Sequence, residues 1–265
     1  MKINSVLAIM LASAASLVIT DGSNIQRELI VGGETVPANT KTYIVGLRPT
    51  IDGDNFCGGS LITPTHVLSA SHCNEGGIRW VSIGSHFRNG TQDGEQIRVR
   101  AIMNHPDFIE NYPMYSNDFV VLKLEKPSSF KPVKLAAADD SDFEAGKWTT
   151  TMGWGLDAEG NGTTPYELQR VDVQLVSDES CANFTTTDPT MVCAGGVEGK
   201  DSCNGDSGGP LIIEGGKSTE DVLVGVVSWG EGGDTCARDG YFGMYSRVSS
   251  ARAWIDSIIN DACLG

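Results

Sequence analysis

Short apolar runs alternate with clusters of Gly, Pro, Asn and Asp along most of this 265-residue chain. Tyr43–Leu47, Gly59–Ile62, Trp80–Ile83, Phe119–Leu124, Leu168–Leu175, Pro210–Ile213 and Val222–Ser228 are runs of this kind. They are short for helices and enriched in Val, Ile and Thr, whose branched side chains fit a pleated surface. Each therefore predicts a strand bounded by turns. The pattern changes at the end of the chain. Trp254, Ile255, Ile258, Ile259 and Ala262 fall on one helical face, and Ser249 or Ser250 is placed to cap the first turn, which predicts a helix over about 250–262. The expectation is an all-β chain that ends in one helix. No segment repeats at a fixed period, and no low-complexity linker divides the chain.

The first residues follow a different rule. Lys2 is the only charge before Asp21, and Val6–Val18 is mostly Leu, Ile, Val, Met and Ala. One leading charge, an apolar run of marginal spanning length and no basic stop after it predict a secretory signal over 1–20 rather than an anchor. Its cut is expected between Ala15 and Gly22. No later segment is long and apolar enough to span a bilayer, so a soluble, extracellular chain is expected.

Acidic residues outnumber basic ones by 34 to 19, a net charge of −15 that loss of the first 29 residues leaves unchanged. Such a surface argues against nucleic acid and anionic lipid as partners; it suits basic substrates at long range, and solubility in an acidic extracellular medium accounts for it equally well. Seven cysteines in a secreted chain predict disulfides with one thiol left over, in a connectivity that sequence does not fix. The histidines at 66, 72, 86 and 105 form no His-Glu-x-x-His pattern, and the cysteines have no metal-finger spacing. Neither a zinc site nor an organic cofactor is expected. Asn89-Gly90-Thr91, Asn161-Gly162-Thr163 and Asn183-Phe184-Thr185 are candidate N-glycosylation sites in polar, loop-like stretches.

The candidate chemistry centres on Gly199–Pro210, where Ser207 stands among small residues whose backbone amides can gather at one point. Gly205 and Gly208 remove Cβ atoms that would block an approaching carbonyl oxygen. A serine hydroxyl needs a base, and the base needs an orienting group. His72, in Leu68-Ser69-Ala70-Ser71-His72-Cys73, and Asp118, in Asn117-Asp118-Phe119-Val120-Val121-Leu122, can supply both.

In this order these motifs resemble the chymotrypsin-type, trypsin-like serine proteases. The likeness runs over residues 30–262 and includes Ile30-Val31-Gly32-Gly33, Cys57-Gly58-Gly59-Ser60, Met152-Gly153-Trp154-Gly155, Ser228-Trp229-Gly230 and Tyr245-Ser246-Arg247-Val248. It implies two packed antiparallel six-stranded β-barrels, at about 30–135 and 136–248, with a crossover near Lys131–Asp142 and the site between the halves. By the same resemblance 21–29 is a propeptide and the disulfides are Cys57–Cys73, Cys181–Cys193 and Cys203–Cys236, leaving Cys263 over. The implied catalytic residues are Ser207 as nucleophile, His72 as base and Asp118 as its orienting group. Gly205 and Ser207 amides would form the oxyanion hole. Asp201 would lie at the base of a pocket for Arg or Lys, with Gly230 and Gly243 as its walls and Ser228, Trp229 and Gly230 as an edge for an extended peptide. Release of Ile30 would bury its ammonium against Asp206 and order the site.

The chain departs from the family's pattern in several places. Leu29 precedes Ile30, where trypsin-type precursors usually offer Arg or Lys, so activation by a different protease is implied. Phe242 stands where proline or tyrosine is usual, and no ion-binding role follows from it. Ser85 stands where a calcium-ligating glutamate is usual, while Asp93 and Glu95 remain, which leaves calcium open. A second resemblance bears on function. Val36-Pro37, Thr40-Lys41-Thr42-Tyr43, Leu124-Glu125-Lys126-Pro127-Ser128, Pro132-Val133-Lys134-Leu135 and Ala137-Ala138-Asp139 look like the secreted trypsin-like group of oomycete plant pathogens. That group includes glucanase inhibitor proteins, which bind host endo-β-1,3-glucanases and typically lack the catalytic residues. With all three present here, the first expectation is an endopeptidase that cleaves after Arg or Lys through an acyl-enzyme. The alternative is an effector that inhibits host glucanase.

Overall fold

The computed structural model describes residues 30–111, 114–230 and 235–260. The expected signal, the propeptide and Cys263 lie outside them. The first half contributes β1 (Glu34–Thr35), β2 (Ile44–Arg48), β3 (Cys57–Thr63), β4 (His66–Ser69) and β5 (Trp80–Ile83). It continues with β6 (Glu95–Asn104), β7 (Ile109–Asn111), β8 (Met114–Ser116) and β9 (Val120–Leu124). Six of these close into an antiparallel barrel in the order β2-β3-β4-β9-β6-β5. Leu61, Val67, Val81, Ile83, Ile97 and Leu122 are buried in its core, each worth about 1.5–3 kcal/mol in transfer from water. On β6 only Ile97 is fully buried, and Arg98 and Arg100 are exposed, so this ten-residue strand carries no continuous apolar run.

The second half holds β10 (Lys134–Leu135), β11 (Trp148–Gly153), β12 (Gln169–Gln174), α1 (Asp178–Phe184) and β13 (Met191–Gly195). It ends with β14 (Pro210–Ile213), β15 (Val222–Gly230), β16 (Phe242–Arg247) and α2 (Val248–Ile259). Its sheet runs β1-β12-β11-β14-β15-β16-β13, with β10 added parallel to β15. The six strands from β12 to β13 curl toward the expected second barrel, yet its edges meet only narrowly. A Leu175–Ala194 bridge and a bond from Val176 N to Cys193 O (2.9 Å) form the seam. Directly after them Ser177 caps α1 and turns the chain away, so this half is an open half-barrel. β1 crosses from the first half to pair with β12, and β10 falls within the expected crossover.

The short α1 was not expected, because seven residues carry no readable apolar period. Its local signal is at the start: Ser177 Oγ accepts from Ser180 N (3.2 Å), and Asp178 and Glu179 occupy the first turn. For α2 the capping expectation is corrected. β16 runs directly into the helix, Arg247 is the N-cap residue and no side chain caps it. Ser249 Oγ instead donates to Asp140 Oδ1 (2.6 Å) and Ser250 Oγ to Arg247 O (2.7 Å).

A buried ionic cluster ties the first half to the second. Asp221, fully buried, accepts from Lys41 Nζ (2.7 Å), Tyr43 Oη (2.7 Å) and Gly215 N (3.0 Å). Lys41 also reaches Glu214 (2.6 Å), which pairs with Arg170 (2.7 Å). Burial, and then the Asp221 charge, push the Tyr43 phenol far above its ordinary value.

Candidate active site

Asp118 sits where the chain leaves the β7–β8 hairpin and enters β9, and its side chain has no solvent exposure. Three donors hold the carboxylate. His72 N reaches Oδ1 (3.0 Å), His72 Nδ1 reaches Oδ2 (2.7 Å), and Ser228 Oγ donates to Oδ2 (2.6 Å). Ser246 Oγ donates to the Asp118 carbonyl (3.1 Å). Two serines of the second half thus hold the aspartate of the first. For Ser228 the sequence pointed only to a backbone edge. The serines near His72 are bonded as well: Ser69 Oγ to Gly58 O (2.8 Å) and Ser71 Oγ to Phe119 O (2.6 Å). A carboxylate bonded to Nδ1–H leaves Nε2 as the imidazole's basic nitrogen.

Ser207 lies in the turn before β14. Gly58 N donates to its carbonyl (2.7 Å), pinning the turn to β3 of the first barrel. Gly205 adopts φ +102°, a conformation open to glycine and strained for other residues. The amides of Asp206, Gly208 and Gly209 donate to Cys203, Val227 and Asp206 carbonyls. Among the described residues, those of Gly205 and Ser207 have no protein acceptor, so both can turn to a substrate oxygen. Disulfides join Cys57–Cys73 beside His72, Cys203–Cys236 beside Ser207, and Cys181–Cys193 between α1 and β13. His72 and Ser207 line the same cleft, but no hydrogen bond joins them.

The cleft holds about 280 Å³ and extends from His72, Tyr115 and Ser207 to Asp201, with Ser228, Trp229, Gly230 and Gly243 along it. Asp201 is 5% exposed and accepts from Ser202 N (2.8 Å). Burial pushes its carboxyl up to about 7 and so disfavours its charge; a cation entering the cleft would relieve that cost by pairing with the ionised form. A Cβ on Gly243 would come within 2.8 Å of Asp201 Oδ1, and glycine there keeps the carboxylate accessible. Sequence reasoning missed Tyr115. Its ring stacks on the His72 imidazole, with centroids 5.2 Å apart and planes within 15°. Only the packing of the hairpin against His72 reveals it; its place three residues before Asp118 was the available hint.

Ile30 is fully buried and, in the uncut chain, its nitrogen is an amide. Asp206 is also buried, and its carboxylate accepts from Gly155 N (2.8 Å) and Cys203 N (2.9 Å). No cation pairs with it among the described residues, and burial pushes it up to about 6. In the loop after Gly84, Ser85 Oγ donates to Asp93 Oδ1 (2.6 Å) and His86 N to Asp93 Oδ2 (2.8 Å). Glu95 accepts from Ser129 N (3.1 Å). These bonds commit the loop's carboxylates to protein donors, so the donor set does not suit calcium. One group of potential metal ligands occurs among the described residues, Cys57, His72 and Cys73, and its two sulfurs are joined in a disulfide. Of the candidate glycosylation sites, Asn161 and Asn183 are exposed and Asn89 is half-buried.

The family model of trypsin matches residues 30–255. Glucanase inhibitor protein 3 of Phytophthora infestans is 54% identical over 259 residues, covering 97% of this chain and 97% of its own length. Glucanase inhibitor protein 2 of Phytophthora sojae is 46% identical over 265 residues, covering 98% and 89%. Glucanase inhibitor protein 1 of Phytophthora infestans is 46% identical over 252 residues, covering 93% and 95%. A similarity spread over nearly the whole length, rather than confined to the serine motif, makes this chain a member of the trypsin family, in the group that holds these Phytophthora proteins.

Proposed function

We propose that this chain is a secreted trypsin-fold protein that binds and inhibits a glucanase of the endo-β-1,3 class. The observation that carries this reading is the full-length similarity to relatives named glucanase inhibitor proteins, at up to 54% identity. Secretion is supported by the N-terminal apolar segment. Among the described residues, no helix is long and apolar enough to cross a membrane.

The geometry of the cleft favours a second reading, a serine endopeptidase specific for Arg or Lys. Asp118 orients His72, two unpaired amides flank Ser207, and Asp201 lies in the same cleft. On this reading His72 Nε2 takes the Ser207 proton as Oγ attacks the scissile carbonyl. The oxyanion is held by the Gly205 and Ser207 amides, and His72 then protonates the leaving amine. Cutting after Leu29 would convert the Ile30 amide to an ammonium able to pair with Asp206.

One pair of proteins tests both readings. The secreted chain and its Ser207→Ala variant are titrated against an endo-β-1,3-glucanase with laminarin as substrate. Equal, saturable inhibition by both supports binding as the function. Absence of both inhibition and a complex refutes it. Covalent labelling at Ser207 by a fluorophosphonate, lost in the variant, supports the endopeptidase. No labelling of chain cut at Leu29 refutes that second reading.

A further inference from the structure

We propose that Asn89 carries an N-linked glycan whose first sugar packs on the Phe87–Tyr166 aromatic pair. This rests on the secretion reading above, because the transfer belongs to the secretory pathway. Of the three sequons, only Asn89-Gly90-Thr91 lies in a turn that the fold closes and backs with aromatic rings.

Gly90 N donates to Phe87 O (2.9 Å), and Thr91 N donates to Asn89 Oδ1 (3.3 Å). The fully buried Arg48 donates through Nη2 to Asn89 O (2.8 Å) and through Nη1 to Gly90 O (3.4 Å). Gln96 Nε2 adds a bond to Gly90 O (2.6 Å). Gly90 holds φ +58°, and a Cβ there would come within 2.7 Å of Ser82 Cβ, so the turn requires glycine. The acceptor amide is therefore fixed in direction, and it points at an aromatic shelf. Asn89 Nδ2 donates to Tyr166 Oη (3.0 Å), and the Tyr166 ring lies 5.3 Å from Phe87. Tyr166 is 46% exposed. A half-exposed ring of this kind supplies surface for packing by the C–H face of a pyranose.

The other sequons lack this setting. Between 155 and 165 the chain has no aromatic residue, and the Thr163 amide and hydroxyl are committed to Asp157 (2.6 and 2.7 Å). Asn183 lies in the last turn of α1, and the Phe184 ring is already packed on Tyr241 and Phe242. The co-reactant is an oligosaccharide linked through a pyrophosphate to a lipid. Its anomeric C1–O bond breaks, C1–Nδ2 forms, one Nδ2 proton is lost to the medium, and the lipid pyrophosphate leaves. The remaining Nδ2–H can still serve the Tyr166 hydroxyl.

The test is to express the full chain in yeast and map sequon occupancy in medium and cells by mass spectrometry after peptide-N-glycosidase in heavy-oxygen water. The expected result is secreted chain with Asn89 modified in the majority of molecules. Trimming the glycan to its first N-acetylglucosamine should leave the melting temperature unchanged. Thr91→Ala and Asn89→Gln, which both leave position 89 bare, should each lower it by about 2–4 °C, the shift for roughly 1 kcal/mol in a domain of this size. In a Tyr166→Ala background the glycosylated and bare forms should melt together. Secreted chain with bare Asn89 overturns the proposal and leaves secretion standing. Equal melting of wild type and both sequon variants overturns the packing. Chain retained in the cells with every sequon bare overturns the secretion reading and this proposal with it.

Discussion

Replacing Asp206 by asparagine should flatten part of the pH dependence of the uncut chain's stability. The Asp206 carboxyl is buried with two backbone donors and no cation among the described residues, and its pKa rises from an ordinary 3.8 to about 6. A shift of that size penalises the ionised form by about 3 kcal/mol. Because the folded pKa lies above the unfolded one, the native state holds the extra proton between about pH 4 and pH 6. Stability from this group therefore falls as pH rises through that window, and the penalty is complete above it. In Asp206→Asn one donor, Gly155 N or Cys203 N, faces the amide NH₂ and loses its acceptor. The cost is about 1–3 kcal/mol and does not change with pH. Urea unfolding from pH 4 to pH 7, with Ser207→Ala in both chains to prevent self-cleavage, gives the two curves. The Asp206 charge helps raise the Asp201 carboxyl, so both chains also carry Asp201→Asn; the exposed carboxylates titrate in both, and the difference between the curves then isolates Asp206. Wild type should lose about 2.4 kcal/mol relative to the variant between pH 4 and pH 7. After cleavage at Leu29–Ile30 that relative loss should vanish, since a paired ammonium pulls the carboxyl back down. Parallel curves for the two uncut chains would refute the reasoning, and an unchanged slope after cleavage would refute the pairing with Ile30.

Benzamidine binding should strengthen as pH rises through about 7, where Asp201 loses its proton, and weaken about tenfold per pH unit below it. Calorimetry that finds the same affinity at pH 5 and pH 8, or no loss in Asp201→Asn, counts against the cation pocket. Ser228→Ala removes one of three donors from the buried Asp118 carboxylate and should cost about 1.5–3 kcal/mol in urea unfolding; an unchanged midpoint would show that the bond contributes nothing. Asp221→Ala leaves Lys41 and Tyr43 without their buried acceptor and should cost about 3–5 kcal/mol at pH 7. A loss below 1 kcal/mol would show that Glu214 alone holds Lys41.

The local pattern carried the motif residues and part of the core strands, while β4, β11, β13 and β16 fell outside the apolar runs named. Pro210–Ile213 runs as its apolar stretch predicts, because a strand buried on both faces must be apolar at successive positions. β6 is less visible, since its outward Arg98 and Arg100 break the apolar run. His72, Asp118, Ser207 and Asp201 were named from motifs, where particular side chains at fixed offsets leave a local trace. What tertiary structure alone decided is which groups meet across long separations. Ser228 reaches Asp118 over 110 residues and Tyr43 reaches Asp221 over 178. Tyr115 covers His72 only because the β7–β8 hairpin folds over it. The seam of the second half is narrow because α1 turns the chain away after Val176. Sequence determines local conformation and the identity of reactive groups, since both follow from residues near in the chain. Burial, pairing and the shifts of Asp201 and Asp206 depend on which distant segments exclude water from a group, and only the assembled fold decides that.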